Sequence, residues 1–271
     1  MSKTLATVLT RAVEASTGWM TPYRRAITRC LVSERLAQIH DVETPAGVLR
    51  FFSPTARSLH DPADLYDGEP ETIRWLDGLP ADDVLWDVGA NIGVYALYAA
   101  KVRGLKVVAF EPSASSHAVL VRNLELNGLA GRVDAYCLAL DERVHLDHLH
   151  MAHTEAGHSM HAFGQTATVE GEIDAVFRQA VPGVSADEFV RVFAAPAPDH
   201  IKLDVDGLEE KILRGAAGTL GTSVKSLLVE IDGSARQEGG TGIRGLLADL
   251  GFREDDSFAE MARRNVVFRR A

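Results

Sequence analysis

Cysteine is almost missing from this chain. Cys30 and Cys137 are the only two in 271 residues. That excludes a disulfide framework and suits a reducing compartment. Cys137 lies in the apolar run "YCLAL" and reads as a buried residue, and neither cysteine is assigned a catalytic role. Basic charge is also scarce: 28 Lys and Arg against 38 Asp and Glu leave a net charge of -10. A duplex nucleic-acid partner calls for a basic patch, whereas the basic residues here are dispersed, so no nucleic-acid partner is expected. No apolar run reaches the ~18 residues that a membrane span requires. The first residues, "MSKTLATVLTRAVEAS", are interrupted by Arg11 and Glu14 before they make the apolar core of a secretory signal. A cytoplasmic protein without a membrane span is therefore expected. Internal repeats and low-complexity segments are absent as well.

At 46% hydrophobic and 24% charged, the chain has the composition of a globular protein that can bury a full core. Its length suits one large α/β domain with a small appendage. Residues 3 to 38 carry apolar residues at helical spacing, with Pro22 between two segments. They read as a helical cap, residues 1–44; a homodimer contact or a membrane-surface contact is the alternative use of such helices. The main domain is then 45–271. "GVLRFFSP" (47–54) reads as a strand and "EPETIRWLDGL" as a helix opened by Pro70, with Ile73, Trp75 and Leu76 facing the core. From residue 84 strands and helices alternate: "VLWDVG", a helix to Gly104, "KVVAFEP", a helix capped by serines and closed by Gly128, then "RVDAYCLAL" as the third strand. The rhythm breaks over 143–198, read as an acceptor-side insertion with a hairpin and the helix "SADEFVRVFAA". It resumes with "HIKLDVDG", "LEEKILRGAAGTL" as one helix, "SLLVEID", "GIRGLLADLG" and a last strand "NVVFRR". Strand–helix–strand units of this length build a parallel sheet with right-handed crossovers.

The first strand ends in Asp87-Val88-Gly89-Ala90-Asn91-Ile92-Gly93. An open α/β sheet binds ligands beyond its strand ends, at the switch in strand order. A dinucleotide fingerprint needs a middle glycine for close approach to a pyrophosphate, and it is missing here. A P-loop would need G-K-[ST], also missing. Asp87 would repel a phosphate and attract a cation; S-adenosylmethionine carries an ammonium and a sulfonium. Glu111 closes the second strand 18 residues after Gly93, where a carboxylate can accept both hydroxyls of a ribose. A solvent-facing Asp87 and a Glu111 that merely charges a helix N-terminus are the plainer alternatives.

These residues resemble the FkbM family of class I S-adenosylmethionine-dependent methyltransferases. The likeness rests on "EPETIRWLD", "WDVGANIGVYALYAA", "VVAFEPS" with "RNLELNG", and "HIKLDVDGLEEKILRGA" followed by "LLVEID", in this order. It spans roughly residues 45 to 270. It implies a Rossmann-like three-layer sandwich on a mostly parallel seven-stranded sheet with an antiparallel C-terminal strand. It also implies methyl transfer to a hydroxyl oxygen of a sugar, in a surface polysaccharide or nucleotide sugar, or of a secondary metabolite. By position, Asp87, Gly89, Ala90, Asn91 and Gly93 would line the methionine and ribose part of S-adenosylmethionine. Glu111 would bind the ribose, Pro112 and Ser113 would lie beside the adenine, and Leu140 and Asp141 would flank its edge.

Methyl transfer from a sulfonium is an in-line displacement, and a hydroxyl needs a base or a metal to assist it. Asp204 closes the fourth strand, Glu230 and Asp232 the next, and Lys202 shares a face with Asp204 in an extended chain. Asp204, Lys202 and Glu230 are thus catalytic candidates, with a simple Lys202–Asp204 ion pair as the structural alternative. By resemblance to magnesium-dependent catechol-type O-methyltransferases, Asp204 and Glu230 raise the question of a magnesium ion, although no residue is assigned as a metal ligand. Six histidines fall between His145 and His161 (the others are His148, His150, His153 and His158). Histidine titrates near neutral pH, so His158 or His161 can serve as base or acceptor ligand. A dedicated zinc site would want cysteine partners and tighter spacing. Tyr95 can reach cofactor or substrate, or simply pack. An NAD-dependent sugar oxidoreductase and a non-catalytic cofactor-binding protein are the competing functions.

Overall fold

The computed structural model describes residues 2–168, 171–231, 241–261 and 264–271; Asp232, read above as closing a strand with Glu230, lies outside them. The chain separates into two compact units, the first 39 residues and residues 40–271. The first holds α1 (Ser2–Thr17) and α2 (Pro22–Arg35). Pro22 interrupts the helical pattern because it is the first residue of α2, where its missing N–H would have had no partner. Arg25 closes the turn by donating to the carbonyls of Thr17 and Gly18.

In chain order the rest comprises β1 (Ile39–Thr44), β2 (Gly47–Phe52), α3 (Ala56–Ala63), α4 (Pro70–Asp77), β3 (Val84–Val88), α5 (Val94–Val102), β4 (Lys106–Phe110), α6 (Ala114–Asn127) and β5 (Val133–Tyr136). A smaller sheet region follows: β6 (Ala139–Leu140), β7 (His145–Met151), β8 (His161–Phe163), β9 (Ala167–Thr168), β10 (Gly171–Glu172) and β11 (Phe177–Val184). Then come α7 (Ala186–Phe193), β12 (His200–Leu203), α8 (Glu209–Arg214), α9 (Ala217–Thr222), β13 (Ser226–Glu230), α10 (Thr241–Asp249), β14 (Phe252–Glu254) and β15 (Asn265–Arg270). No described helix is long and apolar enough to cross a membrane.

The main sheet has seven strands in the order β14-β15-β13-β12-β3-β4-β5. It is parallel from β13 through β5, and β15 runs antiparallel to both its neighbours. Alternation along each strand divides the core between two faces. Leu85, Val107, Ala109, Leu228 and Val267 pack with α4, α5 and α6. Trp86, Val108, Phe110, Ile201, Leu227 and Phe268 pack with α7, α8, α9 and α10. This is the expected three-layer, Rossmann-like sandwich. Chain order reverses between β3 and β12, so a crevice opens at the C-terminal ends of those strands.

Several local expectations need correction. The single third strand over 132–140 is two: β5 stays in the main sheet, whereas β6 pairs with β11 in a four-stranded sheet ordered β6-β11-β7-β8. β6 is buried, whereas β5 buries Val133 and exposes Asp134 and Tyr136; no turn residue separates them, so the run looks continuous. Cys137 stands at the crossing between them and is exposed, not buried. The hairpin expected in the insertion is β7 with β8, and β7 also pairs with β11. The helix expected over 208–220 is broken into α8 and α9 at Gly215, whose absent Cβ would lie 2.3 Å from the carbonyl of Asp141.

Candidate active site

Asp87 and Lys202 are register partners across β3 and β12. They point to the face whose inner positions, Leu85 and Leu228, are fully buried apolar residues. Moving outward along the strands, that apolar row gives way to Asp87, Lys202 and, on β13, Glu230. The ammonium of Lys202 lies 2.7 Å from Oδ2 of Asp204, and Asp204 is hydrogen-bonded to Glu230. Glu69, which precedes α4, enters from above. Its Oε2 accepts from Thr72 Oγ1 at 2.8 Å and from Asn265 Nδ2 at 3.1 Å, and Tyr95 is also hydrogen-bonded to it. The Tyr95 ring centroid lies 5.0 Å from the Lys202 ammonium. One buried cation thus stands among four carboxylates: Asp204, Glu69, Asp87 and Glu230.

Burial alone would strip the proton from Lys202, but Asp204, Glu69 and Asp87 outweigh it and hold the ammonium charged. Burial alone would protonate Asp204, and Lys202 overrides that, holding it below the usual carboxylate range. Glu230 has the opposite fate: burial and then the charge of Asp204 push it up to about 9, so it carries a proton near neutral pH. A magnesium ion finds little support at Asp204 and Glu230: the Lys202 ammonium lies 2.7 Å from one carboxyl and the Arg264 guanidinium 3.7 Å from the other, where a hard cation would want bare oxygens.

The glycine loop is locked for reasons beyond a ligand. Gly89 has φ +85, and a Cβ there would sit 1.8 Å from the Asp204 carbonyl oxygen. Gly93 has φ +90, and a Cβ would meet Leu120 at 2.3 Å. The close approach that these glycines permit is between β3 and its neighbours. The loop then turns its amides outward: Asn91 N–H donates to Glu111 Oε2 at 2.8 Å, and Ser113 N–H to Oε1 at 2.7 Å. Buried Glu111 is pushed up to about 7 by desolvation, partly offset by those two amides. Each of its oxygens keeps a free lone pair.

A cavity of about 360 Å³ opens over this loop, within the range of small-molecule sites. Asp87, Gly89, Ala90, Asn91, Glu111, Pro112, Leu140, His158, Lys202, Asp204 and Glu230 all line it. Gly93, Ser113 and Asp141 do not line its wall. Gly93 sits against Leu120, Ser113 caps α6 by accepting from Ser116 N–H, and Asp141 accepts from the Glu142 amide and faces His145 at 3.4 Å. Asp87 is the anomaly. It is 1% exposed, neither of its oxygens has a well-aligned hydrogen-bond partner, and burial pushes it up to about 6 despite Lys202. Buried carboxylates normally find well-aligned donors, and Asp87 has only a loose backbone contact from Ala96, so in a cavity wall it fits a cationic ligand. Asn91 Oδ1 is buried and unpartnered too.

Over the cavity, His161 has both ring nitrogens buried without partners, and burial pulls it down to about 4, so it is uncharged. His158 also lines the wall, and its ring stacks on His153 at 4.3 Å. His145, His148 and His150 belong to β7 and are not part of the cavity wall. Glu69, Arg57, Asp206 and Arg264 line the cavity as well, and sequence reasoning gave them no role there. Glu69 carried one signal, an acidic residue in an otherwise core-facing helix start. Asp206 read as a turn residue. It takes φ +58 and accepts from the Met160 amide at 2.7 Å, tying the β12 turn to the insertion.

Residues 87–254, more than half of the chain, match the Methyltransferase FkbM domain. The chain belongs to the FkbM methyltransferase family. Among relatives of this FkbM chain, the hexuronic acid methyltransferase AglP of Haloferax volcanii is 28% identical over 165 residues, covering 60% of this chain and 62% of AglP. The chain therefore matches less than two thirds of that relative. The 31-O-demethyl-FK506 methyltransferase FkbM of Streptomyces tacrolimicus is 46% identical over 61 residues, 22% of this chain and 23% of the relative. The crystal structure of methyltransferase FkbM from Methylobacillus flagellatus KT superposes with a TM-score of 0.46 at 15% identity, over 70% of this chain and 44% of that one.

Proposed function

We propose that this chain transfers a methyl group from S-adenosylmethionine to a hydroxyl of a sugar or of a secondary metabolite. The observation that carries the reading is Asp87: a buried carboxylate at the end of β3, in the wall of the cavity, whose oxygens have no well-aligned donor beyond a loose backbone contact from Ala96. It fits the ammonium of the donor's methionine end. Glu111, at the end of neighbouring β4, has lone pairs free for a ribose diol, and Phe110, Pro112 and Leu140 supply an apolar wall for a purine. When bound, S-adenosylmethionine supplies the electrophilic methyl carbon. The remaining work falls to the protein, which must align the acceptor oxygen and exclude water.

Lys202 holds Asp204 ionised, so this carboxylate can accept a hydrogen bond from a polar group of the acceptor molecule. His161 is uncharged in the cavity wall and has no well-aligned side-chain partner, so a ring nitrogen can accept a hydrogen bond from the reacting hydroxyl. The names of two relatives, a hexuronic acid methyltransferase and a 31-O-demethyl-FK506 methyltransferase, support an oxygen-bearing acceptor of this kind. The test is a labelled-methyl screen against nucleotide sugars, uronic acid glycosides and macrolides. Label on a hydroxyl of one class, lost in Asp87→Ala, is expected. No transfer to any of them, with donor binding intact, would leave a non-catalytic binding protein instead.

A further inference from the structure

We propose that His153, Glu155 and His158 form a binding site for a divalent transition-metal ion of the zinc class, at the mouth of the cavity. In sequence the three are too loosely spaced to read as ligands. In the fold, one donor atom from each lies within 4.8 Å of the other two; the two imidazoles stack with ring centroids 4.3 Å apart, and one ring must turn out of the stack to aim its in-plane lone pair at a shared ion. Two imidazoles with one carboxylate make a nitrogen-rich set that suits zinc, cobalt or nickel better than magnesium or calcium. Bonds of ~2.0–2.2 Å place tetrahedral donors roughly 3.3–3.6 Å apart. Side-chain rotation at His153 and Glu155, both exposed, supplies the remaining contraction of about 1 Å.

The backbone between the ligands is already held. Ala156 C=O accepts from Thr55 Oγ1 at 3.1 Å, and Gly157 N–H donates to Ser116 Oγ at 3.2 Å. Gly157 C=O accepts from Arg57 Nε at 3.1 Å and Asn91 Nδ2 at 3.3 Å. Gly157 itself takes φ +89, with Ser58 Cα only 2.7 Å from where a Cβ would be. Ordering the ligands therefore costs little backbone entropy. Arg57, a nearby cation, faces Asp61 at 3.8 Å, which offsets its charge.

Three protein ligands leave a fourth position open. His158 is also part of the cavity wall, so the ion would stand where an acceptor enters and would bind the acceptor's oxygens or fix the rim. The site shares no residue with the donor-binding loop, so it does not depend on the methyl-donor reading.

The test titrates the untagged full chain with Zn²⁺ against a chromophoric chelator, and with Co²⁺ for the intense visible absorption of a tetrahedral site. Stoichiometric binding is expected in the wild type. His153→Ala, Glu155→Gln and His158→Ala should each weaken it at least tenfold. His148→Ala, on exposed β7, should leave it unchanged. Circular dichroism checks that these loop variants remain folded. Absence of stoichiometric binding, binding that survives both His153→Ala and His158→Ala, or equal loss in His148→Ala would overturn the proposal.

Discussion

Replacing Asp87 by asparagine should weaken donor binding and stabilise the free protein at the same time. The carboxyl is fully buried, and its pKa rises from 3.8 to about 6. An acid with a raised folded pKa binds more protons folded than unfolded between those values. Stability therefore falls as pH rises from about 4 to 6, and the loss persists above that window. Two units correspond to ~3 kcal/mol at pH 7. Asparagine keeps the shape without the charge, so it should recover a large part of this. For a domain of this size that is a rise in Tm of roughly 5–10 °C. The ligand's ammonium would lose a buried counter-charge, worth about 2–5 kcal/mol, or roughly thirty-fold to a few thousand-fold in Kd. The assay is scanning calorimetry of the free protein at pH 5 and pH 8, followed by titration with S-adenosylmethionine. The stabilisation should be largest at pH 8 and fall to roughly half of that at pH 5. A variant that is less stable at pH 8 and binds the donor normally would refute the reasoning on both counts.

Other outcomes follow from the same geometry. Gly89→Ala should cost more than ~4 kcal/mol or abolish folding, because its Cβ would sit 1.8 Å from a backbone carbonyl. Gly128→Ala, also left-handed but with open space around it, should cost only ~1–2 kcal/mol; similar urea midpoints for the two would contradict this. Lys202→Met leaves Asp204, Glu69 and Asp87 without their cation and should destabilise by about 3–5 kcal/mol at pH 8. The loss should shrink at pH 5, as protonation relieves the carboxylates; urea unfolding at both values measures it. Glu230, with a folded pKa raised from 4.5 to about 9, makes stability fall as pH rises through that interval. Glu230→Gln should flatten that fall in a stability–pH profile, and an unchanged slope would count against the shared proton.

The alternating segments from 84 onward were legible because buried parallel strands and amphipathic helices leave different periods, and because Ser113 and Gly128 mark the two ends of α6 as caps do. The loop and its two flanking carboxylates were legible for a chemical reason: Asp87 and Glu111 sit where strand ends meet a crevice. What escaped depends on who covers whom. β5 and β6 follow one another without a turn residue, yet they belong to different sheets, and only pairing with β11 divides them. Cys137 looked buried by its neighbours and lies at the crossing instead. Glu69 looked like a charged residue ahead of a proline. Its place beside Tyr95, Lys202 and Asn265 comes from α4 packing against β13 and β15, with Thr72 at Asn265 and Trp75 at Ser226, which no local pattern encodes. The glycines were read as room for a ligand, whereas the room at Gly89 and Gly93 is taken by Asp204 and Leu120. The histidines were a diffuse cluster in sequence. The fold leaves three on β7 and gathers His153, His158 and His161 around the cavity mouth.

The central claim is that this crevice takes a cationic methyl donor and not a dinucleotide. Calorimetric titration of the wild-type protein with S-adenosylmethionine and, separately, with NAD⁺ tests it most directly. The structure predicts saturable one-to-one binding of S-adenosylmethionine that weakens as Asp87 takes up a proton below about pH 6, with no binding of NAD⁺. Tight binding of NAD⁺, with none of S-adenosylmethionine, would contradict it.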